Sequence, residues 1–160
     1  MKDNFEIRFA TAEDVPVILG FIRELAEYEK LSHEVVATEA ILKETLFGEN
    51  SHTEVLIGLY NNVPVGYALF FHSFSTFLGR PGIFLEDLYI TLTMRGKGFG
   101  KKLLSYLAKL TKERKCGRLE WSVLDWNQPA IDFYKSIGVN PMDEWTVYRL
   151  TDEALTDLAR

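Results

Sequence analysis

A single cysteine, Cys116, stands among 160 residues, so no disulfide can close within the chain and a cysteine-stapled secreted scaffold is excluded. No apolar run approaches the ~20 residues that a membrane-spanning helix needs. The opening Met1-Lys2-Asp3-Asn4-Phe5 carries charge where a signal peptide would carry an apolar stretch. These absences point to the cytoplasm and away from membranes. Positive charge is the minority sign: 18 Lys and Arg face 23 Asp and Glu, a net charge of −5. That balance disfavours nucleic acid as a partner and suits cationic ligands. The three histidines, His33, His52 and His72, are scattered without metal-ligand spacing, so no metal is expected. No linker, low-complexity tract or internal repeat divides the chain, and residues 1–160 are expected to form one domain.

What is present reads as alternating elements. Phe5, Ile7 and Phe9 alternate with polar residues as in a half-buried strand. Thr11 opens a helix with Ile18, Ile22, Leu25 and Ala26 on one face, and a shorter helix spans about 38–47, stopped by Gly48. Strands over 53–60 and 65–74 flank a turn at Asn61-Asn62-Val63-Pro64, giving an antiparallel hairpin. The loop Gly79-Arg80-Pro81-Gly82 leads into a strand over 83–90. A helix carrying Leu103, Leu104, Leu107 and Leu110 follows and ends at Cys116-Gly117. Beyond it lie a strand over 119–124, a helix from Pro129 to Gly138, a strand over 145–150 and a short last helix. The order predicts an α/β (α+β) fold: a mixed, mostly antiparallel sheet of about six strands flanked by helices, with parallel crossovers late. It argues against a purely parallel sheet.

The turn Arg95-Gly96-Lys97-Gly98-Phe99-Gly100-Lys101 sits between a strand and a helix, in a segment with four cations (Arg95, Lys97, Lys101, Lys102) and no acid. Glycines let successive backbone N–H groups face a ligand, and the helix N-terminus adds about half a positive charge. Together these suit a pyrophosphate. Two rival phosphate motifs fail. Lys101 is followed by Lys102 rather than Ser or Thr, and position 103, where a dinucleotide fingerprint needs glycine, is Leu. The remaining alternative is a flexible turn with solvated lysines.

The whole pattern resembles the GNAT N-acetyltransferase superfamily. Arg95 to Gly100 fits its signature R/Q-x-x-G-x-G/A. The block Leu85-Glu86-Asp87-Leu88-Tyr89-Ile90 precedes it, and Asp125-Trp126-Asn127-Gln128-Pro129 through Gly138 follows. Within the superfamily the chain looks most similar to the spermidine/spermine N-acetyltransferase-like group, and especially its thialysine acetyltransferase branch, on the stretch Val123-Leu124-Asp125-Trp126-Asn127-Gln128. The resemblance implies acetyl-CoA as co-substrate, a bulged strand splayed from its neighbour, and a pantetheine arm in the opening. Leu88, Tyr89 and Ile90 would then lie along that arm, with backbone groups of Leu88 and Ile90 pairing with it. Backbone groups of Arg95, Gly96, Lys97, Gly98, Phe99, Gly100 and Lys101 would hold the pyrophosphate. It further implies a homodimer, which the apolar pattern Trp145, Val147, Tyr148, Leu150 permits.

An alkylamine with a pKa near 10.4 is neutral in only about one molecule in a thousand at pH 7. The site must therefore remove a proton, hold a developing oxyanion and reprotonate a thiolate with a pKa near 8.5. By resemblance, Tyr134 is the acid facing the coenzyme thiolate; its alternative is aromatic packing beside Phe133. Glu86 matches the acid that takes the amine proton, and Asp87 the one that holds the cationic substrate, unless both are surface acids at a strand bend. Adjacent strand residues face opposite ways, so the two do not share one role. Asn127 would meet coenzyme amides or cap a helix. Trp126 packs or walls the substrate, and Glu144 binds amine or sits in a solvated turn. The loop over 74–82 has no acid where the polyamine enzymes place one, which tilts the expectation toward a short zwitterionic amine whose carboxylate meets Arg80. The competing readings are a protein or peptide amine acetyltransferase and a non-catalytic coenzyme A-binding sensor.

Overall fold

The computed structural model describes residues 4–160, so the charged opening at 1–3 lies outside the described residues. Two compact units divide the chain, one ending at Ser122 and the other spanning Val123–Arg160.

The first unit is a sheet with strands in the order β1-β2-β3-β4-β5: β1 (Phe5–Phe9), β2 (Thr53–Tyr60), β3 (Val63–Ser75), β4 (Arg80–Ile90) and β5 (Leu119–Trp121). The first three junctions are antiparallel and β4–β5 is parallel, so the sheet is mixed as the element order predicts. Helices α1 (Val15–Tyr28), α2 (Glu39–Phe47) and α3 (Phe99–Glu113) accompany it. Four consecutive residues of β2, Val55 to Gly58, are buried. Alternating side chains can all be buried only if both faces are covered. Val55, Ile57, Tyr67 and Tyr89 pack with Val15, Ile18, Leu19 and Phe21 of α1 and Leu42 and Leu46 of α2. The opposite face meets α3, whose Leu103, Leu104, Leu107 and Leu110 are buried at the predicted spacing.

Local signals account for most element ends. Asn61 and Asn62 both take left-handed φ (51° and 65°), the two-residue turn that matches strand twist. Thr38 Oγ1 accepts the Ile41 N–H at 3.2 Å and starts α2. Helix α3 ends before Cys116-Gly117: Lys115 takes the left-handed position (φ 57°), while the Cys116 N–H reaches the Thr111 carbonyl at 2.9 Å and the Lys115 N–H reaches that of Lys112 at 3.0 Å.

Three expectations are corrected. Strand β4 begins at Arg80 rather than Ile83, because Arg80, Pro81 and Gly82 already pair with Ser75, Phe74 and Ser73 of β3, while the Pro81 carbonyl also accepts the Gly117 N–H at 2.8 Å. Strand β5 stops at Trp121 rather than 124. No strand forms over 145–150, so the sheet has five strands, not six; Trp145, Val147 and Tyr148 stand 76%, 85% and 93% exposed. Alternation there lacks a ladder partner among the described residues.

The second unit carries α4 (Gln128–Ser136) and α5 (Asp152–Leu158). Asn127 Oδ1 accepts the Ala130 N–H at 3.4 Å at the start of α4. Gly138 (φ 87°) ends it, with the Val139 N–H on the Tyr134 carbonyl at 3.2 Å.

Candidate active site

The glycine turn is built by conformation. Gly96 (φ 80°) and Gly98 (φ 82°) are left-handed with open space where a Cβ would stand, so backbone shape rather than crowding demands glycine. Gly98 is the N-cap of α3, whose first turn contains no acid. Phe99 anchors that turn: its ring is buried and stacks on Phe5 at 4.2 Å, leaving its backbone to face a ligand. The helix N-terminus, left-handed glycines and Lys97, Lys101 and Lys102 make a donor-rich, cationic turn that fits a diphosphate.

Strand β4 carries the second feature. Leu69 pairs with Asp87 and Phe70 with Leu85, so Glu86 is the extra residue of a β-bulge. Thr91 donates its N–H to the Val65 carbonyl at 2.8 Å. By antiparallel alternation, Asp87 and Tyr89 turn their backbone groups toward β3, and Leu88 and Ile90 turn theirs away. On that far side the β5 ladder covers only Ile83 to Leu85 and then stops. The strand edge beyond it suits the amides of an extended arm.

Acids gather on the α1 face. The Tyr67 hydroxyl, on a fully buried side chain, donates to Asp87 Oδ2 at 2.6 Å. Burial raises the Asp87 carboxyl above the usual range, partly opposed by that hydrogen bond. Burial also raises the Tyr67 hydroxyl, with the charges of Asp87, Glu29 and Glu86 adding to the shift. Glu29, at the C-terminal cap of α1, is raised by burial and then by the charge of Asp87. Asp87 therefore meets the buried hydroxyl directly, and the charges of Glu29 and Glu86 act on the same group from further off, a negative field that suits a cation. Sequence reading did not single out Glu29. Its signal is an acid at a helix C-terminus, where the dipole disfavours negative charge.

Tyr89 donates its hydroxyl to Glu24 Oε1 at 3.1 Å, and Arg95 lies at the end of the same cluster. Arg80 is not brought to the acids. It starts β4, six residues and about 20 Å along the strand from Glu86, and donates to the Lys115 carbonyl at 3.2 Å. In the second unit Trp126 and Glu144 are exposed, Asn127 is buried at the start of α4, and Tyr134 is half-buried on α4, its ring 5.8 Å from that of Phe133. Among the described residues no cluster of three or more His, Cys, Asp or Glu could hold a metal, and no helix is long and apolar enough to cross a membrane.

A profile described as the Acetyltransferase (GNAT) family matches residues 18–139. The chain belongs to the GNAT acetyltransferase family. A thialysine N-epsilon-acetyltransferase of Bos taurus is 39% identical over 164 residues, covering 96% of each chain. An L-ornithine N5-acetyltransferase of Arabidopsis thaliana is 34% identical, covering 93% of this chain and 85% of its own. Among solved structures, an integron cassette protein of V. cholerae aligns with a TM-score of 0.84 at 27% identity over 99% of both chains. As a GNAT protein the chain is an N-acetyltransferase, and the family's co-substrate is acetyl-CoA. The mixed five-strand sheet flanked by helices is a GNAT-like fold.

Proposed function

We propose that this enzyme acetylates the primary amine of a small cationic or zwitterionic substrate, a thialysine- or lysine-like amino acid or a diamine. The observation that carries the reading is the Tyr67 hydroxyl, on a fully buried side chain, donating to Asp87 Oδ2 at 2.6 Å next to Glu86 on the β4 bulge. An ammonium group placed there meets the desolvated carboxylate of Asp87, which its own charge would keep ionised. The names of the relatives, thialysine and ornithine acetyltransferases, favour a short amine.

Acetyl-CoA supplies an activated acetyl thioester. Main-chain N–H groups of residues 95–101 hold its pyrophosphate, backbone groups of Leu88 and Ile90 pair with its amide arm, and Asn127 meets amides nearby. Asp87 and Glu29 hold the ammonium. Glu86, exposed on its bulge, takes one proton from it, directly or through water. The freed nitrogen attacks the carbonyl carbon; the C–N bond forms and the C–S bond breaks. Tyr134 gives its proton to the departing sulfur, the nitrogen sheds its second proton to solvent as the amide forms, and the tyrosinate regains a proton from solvent. A phenol, protonated at neutral pH, suits that role. Trp126 and Glu144 contribute walls and charge for the amine; Arg80, about 20 Å along β4 from Glu86 and bonded to the Lys115 carbonyl, is too far to meet the carboxylate of a short amine held there.

We further read residues 1–160 as one catalytic domain, which the family match running across residue 122 supports. The enzyme works in the cytoplasm as a homodimer; the exposed Trp145, Val147 and Tyr148 support an apolar partner surface.

Coenzyme A release measured against thialysine, lysine, ornithine, putrescine, spermidine and a lysine peptide tests the reading. Turnover of a short amine, with Tyr134→Phe lowering kcat about 100-fold or more at little change in KM, is the expected result. Turnover of the peptide alone, or of no amine despite coenzyme A binding, overturns it.

A further inference from the structure

Tyrosine stands at position 67, where packing alone would accept phenylalanine. The side chain is fully buried, and its ring stacks on that of Phe21 of α1 at 5.6 Å. Packing accounts for the ring and not for the hydroxyl, because a buried polar group is costly unless it is bonded. This one is bonded, to Asp87 Oδ2 at 2.6 Å. Asp87 is itself only half-buried. The bond therefore joins a hydroxyl inside the core to a carboxyl group that reaches outward, one residue beyond the bulge at Glu86.

The nature of the donor sets this carboxyl group apart. Two carboxylates elsewhere in the first unit are held by guanidinium groups: Asp14 by Arg8 at 2.7 and 2.9 Å, and Glu54 by Arg114 at 2.6 and 2.9 Å. Each of those pairs occupies both carboxylate oxygens and cancels its own charge, as suits a tie that fastens the fold. A phenol donates one hydrogen bond to one oxygen and carries no charge. It fixes Asp87 without neutralising it.

We propose that Tyr67 is a positioning residue for the amine: its hydroxyl holds Asp87 Oδ2 against the core so that Oδ1 is presented, still charged, to one ammonium group of the substrate. The inference rests on reading Asp87 as an anchor of the amine. Tyr67 touches no substrate and acts through Asp87. The other titratable groups whose charges reach the pair are Glu86 on β4 and Glu29 at the end of α1.

Tyr67→Phe tests it, because phenylalanine keeps the ring and its stack on Phe21 and removes only the hydroxyl. With the most rapidly acetylated amine of the panel, the amine KM of this variant should rise roughly three- to tenfold, the size of one hydrogen bond. On acidification that KM should begin to climb at a higher pH than in the wild type, since the carboxyl group has lost a donor that favours its ionised form. In an Asp87→Asn background the hydroxyl has no charge to position, so Tyr67→Phe/Asp87→Asn should lie within about twofold of Asp87→Asn alone. An unchanged or lower amine KM in Tyr67→Phe overturns the proposal. So does a rise in the double variant as large as in the single, or a loss of coenzyme A affinity by calorimetry that matches the rise in amine KM, either of which marks a general loosening of the fold. Asp87→Asn alone separates the two layers of the argument. If it leaves the amine KM unchanged, the reading of Asp87 as an anchor has failed; if it raises the KM while Tyr67→Phe does not, the Tyr67 inference alone has failed.

Discussion

Asp87 and Glu29, proposed as anchors of the amine, are held at a cost to the fold. Both carboxyl groups are raised above their ordinary range, chiefly by burial, so at neutral pH their ionised forms oppose folding. Asp87→Asn keeps the shape and an acceptor for the Tyr67 hydroxyl while removing the charge. Its melting temperature at pH 7 should equal or exceed that of the wild type, while its amine KM rises about tenfold or more, as expected when a desolvated charge loses its partner. Calorimetric melting and steady-state kinetics on one preparation check both halves; a lower melting temperature would show that the ionised carboxylate supports the fold. Residue identity conveyed part of this. Glu86 and Asp87 stand out in the sequence as acids inside an apolar strand, but their facing follows from the bulge, and the charge of Asp87 reaches Glu29 only because α1 packs against β4. Such an approach leaves no trace in local spacing.

At the scale of elements, the ends were legible wherever a local residue sets them. The Asn61-Asn62 turn, the Thr38 cap, the Gly98 start and the Gly138 stop each follow from the conformation of one or two residues. Elements governed by partners were not. Pro81 and Gly82 read as loop yet belong to β4, because they pair with Phe74 and Ser73 of β3. Residues 145–150 alternate like a strand and form none. The same distinction separates two glycines of the turn. Gly98→Ala forces a Cβ into the left-handed region and should cost about 1–2 kcal/mol. Gly100 is not left-handed, and its Cβ would meet only Ile90 Cγ1 at 3.9 Å, an ordinary contact. Gly100→Ala should stay within about 0.5 kcal/mol of the wild type or gain slightly, since alanine is the better helix former. Urea unfolding of both variants checks the contrast; equal losses would mean that the turn demands glycine for space and not for shape.

Across the whole molecule the titrating groups fall into two opposed sets. Arg8 holds Asp14 below the usual carboxylate range through hydrogen bonds at 2.7 and 2.9 Å, and Arg114 does the same for Glu54 at 2.6 and 2.9 Å. Groups lowered in this way support the fold above the unfolded carboxylate range near 4, and that support is lost as pH falls through their folded values. Asp87 and Glu29 are raised, so the folded protein binds their protons first and gains stability as pH falls from neutrality. Melting temperature should therefore peak on the acid side of neutrality and fall steeply below about pH 4. The Asp87→Asn/Glu29→Gln variant should lose the rise from pH 7 toward the peak and keep the acid collapse. A pH series of melting curves measures both limbs, and an unchanged rise in the double variant would assign it to other groups.

The bulge at Glu86 has a consequence for how this chain tolerates changes in length. Leu85 and Asp87 already oppose neighbouring residues of β3, Phe70 and Leu69, and already face opposite sides of the sheet. Deleting position 86 would leave both where they are and heal the ladder, giving a strand more regular than the natural one. Almost anywhere else in β4 a one-residue deletion would turn core side chains outward. Glu86 is thus supernumerary to the register of the ladder, and a lineage that discards the chemistry is free to close up the strand there.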